Sequence, residues 1–473
     1  MRRLRLFLAN IGRPQFMLPQ AIPPMGVLSL AAYLRTKFDL DIMVVNQRQE
    51  ACSAEDIARR AVDFKADIVG LSALTMGGYS LGPLTATVRS GLPDSLILLG
   101  GPYVAGAGIL ALKETSADAA VIGEGERSLE AIVLARYCGN GNLADIPALI
   151  WRNHDGTVVQ NPGTTPVVEN LDDLPYPAYD LIDLPAYWRA VSFSPVTHRN
   201  YVTLMTSRGC PYQCIYCQHI LGRHFRGFSA ERMADEIGYY VKQYGIKVVE
   251  FLDDVFNFDR QRVLDFCELV IKRNFKLKFS FPNGLRADIM TEEVVDALAA
   301  AGTDQCTYAL ESGSPRIQKL IGKHLNIPRF QQSIEWTAKR GVFTHVFNML
   351  GFPTETEEEM QETIDVCCAT LAHTASFFTV IPLPGTPIYK MAKERTPEKL
   401  AEVDYRDLEL SNTRVNLSAV PDHVLYAYQR KAQRKFYVNP ARLWRILRDH
   451  PNRRALPSAG LQFLRRATKS IFR

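Results

Sequence analysis

Ser207-Arg208-Gly209-Cys210-Pro211-Tyr212-Gln213-Cys214-Ile215-Tyr216-Cys217 reads CxxxCxxC and follows the apolar run Tyr201 to Met205 near the middle of 473 residues. Three cysteines on one loop suit a metal centre, because soft sulfur ligands select zinc or iron–sulfur clusters. Three ligands leave one corner of a four-cornered site open, and an open corner is where chemistry takes place. Two other readings fit the spacing alone: a structural zinc site completed by His219 or His224, and a redox pair of Cys214 and Cys217. The neighbouring sequence has to separate them.

On the C-terminal side, apolar runs alternate with helical patterns. Strands are expected at Tyr201 to Met205, Val248 to Leu252, Lys278 to Phe281, Gln305 to Leu310, His345 to Leu350 and Phe377 to Ile381. Helices fit between them, at Ala230 to Tyr244, Arg260 to Arg273, Thr291 to Ala301, Pro328 to Arg340 and Thr356 to Ala372. Six such units imply a partial parallel β/α barrel over residues 198–395, with its site at the C-terminal ends of the strands.

On the N-terminal side, residues 1–145 also alternate. Short, nearly all-apolar runs such as Asp67 to Ser72, Ser95 to Gly101 and Ala119 to Gly123 end in small residues. They suit parallel strands buried on both faces, hence a doubly wound Rossmann-like α/β domain with a ligand crevice beyond the strand ends. Between the two blocks, residues 146–197 hold a hairpin turning at Asp155-Gly156 and an acidic, proline-rich connector. Residues 396–473 read as a helical, basic extension.

The bulk numbers limit the function classes. Hydrophobic residues make up 47% and charged residues 22%, as in an ordinary globular chain. The net charge of +5 is concentrated beyond Arg430, so binding of nucleic acid by the whole protein is not expected. The six other cysteines lie in apolar surroundings and suit small buried hydrophobes. No secretory or bilayer-spanning pattern is seen, and a reducing, cytoplasmic setting follows as the expectation.

A CxxxCxxC after the first strand of a six-unit β/α barrel resembles the radical S-adenosylmethionine (radical SAM) superfamily. Ser72-Ala73-Leu74 and Gly100-Gly101, at strand ends of the first block, resemble the SxL and GG of cobalamin-binding domains attached to such enzymes. Gly123-Glu124-Gly125-Glu126 is similar to another string of those domains and is expected to serve packing and domain contact. The resemblance implies that Cys210, Cys214 and Cys217 hold a [4Fe–4S] cluster and that S-adenosylmethionine fills the open corner. It further implies that Ser72, Leu74, Gly100 and Gly101 line a cobalamin pocket, with Asp253, Asp254 and Glu311 near the methionine moiety. Tyr216 would shield the cluster, Glu355 of Gly351-Phe352-Pro353-Thr354-Glu355 would hold its loop, and Arg286 and Asp288 would pair or line the pocket. The family's DxHxxG is absent; Asn10-Ile11-Gly12-Arg13 stands in its place, so no histidine ligand to cobalt is expected there.

The expected activity is reductive cleavage of S-adenosylmethionine to a 5′-deoxyadenosyl radical, with cobalamin-dependent methylation of an unactivated carbon or phosphorus of a small molecule. The alternatives are cyclisation or rearrangement without cobalamin, and a zinc-stabilised binding protein. The expected partners are a small-molecule substrate and an electron donor such as flavodoxin or ferredoxin. The basic tail suggests peripheral membrane contact.

Overall fold

The computed structural model describes residues 3–12, 22–405, 415–453 and 456; Arg13 of the Asn10-Ile11-Gly12-Arg13 segment and most of the basic tail lie outside them. The first block is a seven-stranded sheet of β1 (Leu4–Ile11), β2 (Leu40–Asn46), β3 (Ile68–Ala73), β4 (Leu96–Gly100), β5 (Ala119–Ala120), β6 (Ile150–Arg152) and β7 (Val158–Gln160), ordered β2-β1-β3-β4-β5-β6-β7. The first five strands are parallel and the Asp-Gly hairpin β6–β7 is antiparallel. The hairpin therefore extends the first sheet. Alternate residues feed two cores: Leu6 and Leu8 face one side, Phe7 and Ala9 the other. That two-sided burial is why these strands read as continuous apolar runs.

β5 is shorter than its apolar run suggests. Its pairing is confined to Ala119 and Ala120 because the chain leaves the sheet and turns at Gly123, where φ is +83°. The turn carries Glu124 and Glu126 towards the second block.

The second block is a parallel six-stranded sheet of β8 (Tyr201–Leu204), β11 (Val248–Phe251), β12 (Lys278–Leu285), β13 (Thr303–Glu311), β14 (Phe343–Leu350) and β15 (Thr374–Thr379), neighbours in that order. Two short antiparallel strands, β9 (Ser207–Arg208) and β10 (Arg226–Gly227), bracket the cysteine loop after β8. β12 runs beyond the expected Phe281 to Leu285, with an irregular register between those residues. Phe251, Phe256, Phe266, Phe279 and Phe281 pack together beneath the helix Arg260–Arg273; the Phe251 and Phe281 rings stack at 5.0 Å. This aromatic block fixes the strand ends nearest the cysteine loop.

The barrel is open between β8 and β15, and the C-terminal helix Asp422–Tyr437 protects the β15 edge. Tyr437 Oη accepts from Ala375 N (3.1 Å) and donates to Ala375 O (2.9 Å), while Gln429 donates to Phe377 O (2.9 Å). Side chains thus satisfy a strand edge that would otherwise pair with another chain.

At the end opposite the cysteine loop, His198 lies buried between Glu250 (3.1 Å) and Asp304 (3.2 Å). Burial alone would lower its pKa, but the two carboxylates outweigh it and push it up to about 9. Folding therefore favours the protonated ring. Its contribution is fully present below the ordinary value of 6.5 and is lost as pH rises through about 9. Urea unfolding is expected to show stability falling between pH 7 and 9, with the slope flattened in His198→Gln; an equal slope in both proteins would contradict the assignment.

Candidate functional site

The cysteine loop leaves β8 and is clamped from three directions. Gly209 has φ +84°, and a Cβ there would sit 2.1 Å from the carbonyl oxygen of His224, so only glycine fits. Cys210 N donates to Gly222 O (3.2 Å), Cys217 N to Cys214 O (3.2 Å) and Ile215 N to Ile321 O (3.0 Å). Ile215 O accepts from Ile388 N (3.1 Å), which ties the loop to the segment after β15. Gly322, with φ +66°, lies so close that a Cβ would approach Gln213 O to 2.8 Å.

A buried polar group supports the loop from below. Asp253 Oδ1 accepts from Thr206 N (3.1 Å), Thr206 Oγ1 (2.8 Å) and Ser207 Oγ (2.5 Å). Arg262 donates to Thr206 O (2.9 Å), Phe228 O (2.7 Å) and Phe256 O (3.2 Å). Asp253 thus holds the start of the loop, and its second oxygen is buried without a hydrogen-bond partner. Arg286 donates to Asp288 (3.0 Å) and also lies 3.6 Å above the ring of Tyr212, so it both pairs and braces the loop. Glu355 accepts from Gly351 N (2.6 Å) and Phe352 N (3.1 Å), which holds its loop in place.

Above the loop the electrostatics change sign. Burial, then Asp254, Cys214 and Cys210, push the Cys217 thiol up to about 12, with Lys323 pulling the other way. Burial raises Cys210 as well, with contributions from Asp254 and Cys214. Asp254 itself is pushed up to about 6 by burial and by Asp253. The three cysteines and Asp254 thus lie together, with Cys217 and Asp254 open to solvent, and positive charge brought beside them would be stabilised. Among the described residues no set of three or more His, Cys, Asp and Glu side chains closes around a single-ion point.

Glu311 completes the rim. It ends β13 with φ +64°, a conformation costly for a non-glycine residue and characteristic of functional sites. Its carboxylate pairs with Lys323 (3.4 Å) and lies 3.5 Å from Tyr216 Oη, linking the fourth barrel strand to the cysteine loop. Lys323 has no distinguishing pattern in Ile321-Gly322-Lys323-His324, and only the fold brings it to Cys217.

The first sheet presents its C-terminal edge to the same loop. Ser72 and Gly100 are register neighbours on β3 and β4. Gly101 has φ +86°, and a Cβ there would lie 2.7 Å from Ser72 Oγ, so the strand ends are reduced to backbone thickness. Leu74 stands 39% exposed beside them. Small residues and one uncovered apolar side chain fit the nucleotide tail of cobalamin. Asn10 donates to Asn46 (3.3 Å) at the ends of β1 and β2, so this asparagine is engaged within the sheet.

Two close contacts join the sheet to the loop. In the short helix Pro102–Ala107, Gly106 would carry its Cβ 2.7 Å from Pro384 O, and Gln218 donates to that same oxygen (2.8 Å). Beside it, Arg208 donates to Glu124 (2.7 Å) and Glu126 (2.6 Å), and Arg226 pairs with Glu124 and donates to Val168 O (2.5 Å). All four charged side chains are buried. The complementary strings Gly-Glu-Gly-Glu and Ser-Arg-Gly-Cys are visible in the sequence, but their pairing is not.

Residues 204–367 match the radical SAM superfamily, and residues 18–133 match the B12 binding domain. An uncharacterized methyltransferase of Pyrococcus horikoshii is 30% identical over 432 residues, covering 90% of either chain. The cytidylyl-2-hydroxyethylphosphonate methyltransferase of Streptomyces wedmorensis is 27% identical, over 79% of this chain and 78% of that protein. The cobalamin-dependent S-adenosylmethionine radical enzyme OxsB, solved with aqua-cobalamin and S-adenosylmethionine bound, superposes with a TM-score of 0.73 at 19% identity, over 94% of this chain and 70% of the other.

Removing one member of the buried charge cluster leaves the others uncompensated in low dielectric. Arg208→Ala is expected to cost about 3–5 kcal/mol in urea unfolding. Arg208→Ala/Glu126→Gln is expected to recover part of that loss. No recovery would contradict a coupled pair.

Proposed function

This chain belongs to the radical SAM superfamily and carries a B12-binding domain, and on that premise we propose that it is a cobalamin-dependent methyltransferase acting on an unactivated carbon or phosphorus of a small molecule. The methyltransferase relatives from Pyrococcus and Streptomyces support methyl transfer. The observation that carries the reading is the junction itself: Gly106 against Pro384 and Arg208 against Glu124 and Glu126 hold the C-terminal edge of the first sheet against the cysteine loop.

Cys210, Cys214 and Cys217 are the residues that would hold a [4Fe–4S] cluster, and Ser72, Leu74, Gly100 and Gly101 those that would line the cobalamin pocket. When bound, the cluster with S-adenosylmethionine supplies a 5′-deoxyadenosyl radical, and cobalamin supplies a methyl carrier. The chain's own task is to place these groups and exclude water. Asp254 faces the sulfurs with a carboxyl suited to an ammonium partner. Glu311 and Lys323 neutralise each other at the rim, and Tyr216, half-buried and 5.8 Å from Phe352, covers the loop's flank. Electrons would come from a small one-electron donor such as flavodoxin or ferredoxin.

Anaerobic reconstitution with iron, sulfide and hydroxocobalamin tests the proposal. The expected result is a charge-transfer absorbance typical of iron–sulfur centres, a retained corrinoid spectrum, and 5′-deoxyadenosine on reduction with S-adenosylmethionine. Cys217→Ala is expected to abolish the nucleoside product while retaining corrinoid. A cluster without retained corrinoid would leave radical chemistry of the cyclisation or rearrangement type and overturn the methyltransferase reading.

A further inference from the structure

The C-terminal helix Pro440–Asp449 is attached to the barrel in an unusual sense. Its inward contacts are polar. Arg442, 1% exposed, donates to Ala372 O (2.6 Å) and Cys368 O (2.8 Å) and lies 3.6 Å above the Phe436 ring. Asp449 meets His373 Nε2 at 3.1 Å, and Asn439 caps the helix by accepting from Arg442 N (3.1 Å). Most of the large apolar residues point outward: Leu443 is 47%, Trp444 65% and Leu447 54% exposed, and Val438 just before the helix 79%, while Ile446 is half-buried. A helix surrounded by water normally does the reverse, burying its apolar stripe and exposing its charges.

We propose that this helix seats the enzyme on an anionic lipid surface. Trp and Leu on one face with arginines beside them is the composition of a helix that lies in the bilayer interface. From Val438 to Arg473 the sequence holds eight Lys and Arg besides the buried Arg442, against the single acid Asp449. A basic segment of this kind is drawn electrostatically to anionic headgroups, and salt weakens the attraction. A second copy of the chain is the poorer occupant. Self-pairing would oppose two cationic surfaces, and four side chains fall well short of the roughly 800 Å² per partner that a stable dimer needs. Nucleic acid would engage the arginines but leave the aliphatic face unused. Among the described residues no helix is long and apolar enough to cross a membrane, so the contact is interfacial.

The inference is independent of the substrate and of the methyl-transfer reading. It is tested by sedimenting the anaerobically reconstituted full-length chain with phosphatidylcholine vesicles, with and without phosphatidylglycerol. The expected result is binding that requires phosphatidylglycerol and weakens at high salt. Leu443→Ser/Trp444→Ser/Leu447→Ser is expected to lower the bound fraction by about tenfold or more. These positions are exposed and remote from the cysteine loop, so circular dichroism and cluster absorbance are expected to be unchanged. Three results would overturn the proposal: no sedimentation with either vesicle; equal binding by the triple variant; or, without vesicle binding, a dimer or duplex DNA complex in its place.

Discussion

The buried pairing of Arg208 with Glu124 and Glu126, with Arg226 on the other side of Glu124, is the constraint on which the geometry of this protein depends. It joins the residue two positions before the first cysteine to the turn that ends the central part of the first sheet. Four charges taken out of water are costly unless each is matched, so the network tolerates little displacement of one domain against the other. Gly106 and Gly385 also meet across the domain boundary, and one apolar core runs from Leu6 and Leu8 of the first sheet to Val202 and Leu204 of the second; the charge network adds direction to this packing. Placement of the cysteine loop and presentation of the cobalamin-type strand ends are thus one structural event.

The cysteine loop inherits rigidity from elements distant in sequence. Asp253 and Arg262 secure its entrance, Gly322 and Ile321 its middle, and Ile388 its far side. These supports come from three different β/α units, so the loop's shape depends on the whole barrel sheet. Asp254, Glu311 and Lys323, from the ends of the second and fourth strands and the segment after the fourth, lie beside the same loop. Radical chemistry benefits from such an arrangement, because positioning and exclusion of water are what the protein contributes.

Much of this was legible in the sequence because the signals were local. CxxxCxxC after an apolar run, strand runs at regular spacing and Gly100-Gly101 at a strand end all carry their meaning within a few residues. The barrel strands appeared close to where periodicity placed them, although β12 runs four residues further and β15 begins three residues earlier and ends two earlier; in the first sheet β5 stops early at the turn into Gly123. What was not legible was long-range. Lys323 gains its role from meeting Glu311 and Cys217 in space, and the partner of Arg208 lies over 80 residues away. Asp253 illustrates a subtler case: a strand-end carboxylate suggested ligand contact, yet one of its oxygens is committed to the loop's own backbone and hydroxyls. The C-terminal helix was legible as helical and basic, whereas its outward-facing apolar side required the fold.

The central claim, which rests on the proposed function, is that cluster and corrinoid would be held at one junction, beside the Arg208–Glu124–Glu126 contact. Electron paramagnetic resonance of the reconstituted protein tests it most directly, with the cluster reduced and the corrinoid as cob(II)alamin. Two paramagnets held at one junction are predicted to broaden or split each other's signals, and Arg208→Ala to diminish that interaction while both cofactors remain bound. Two unperturbed, additive spectra from a protein carrying both groups would contradict the account.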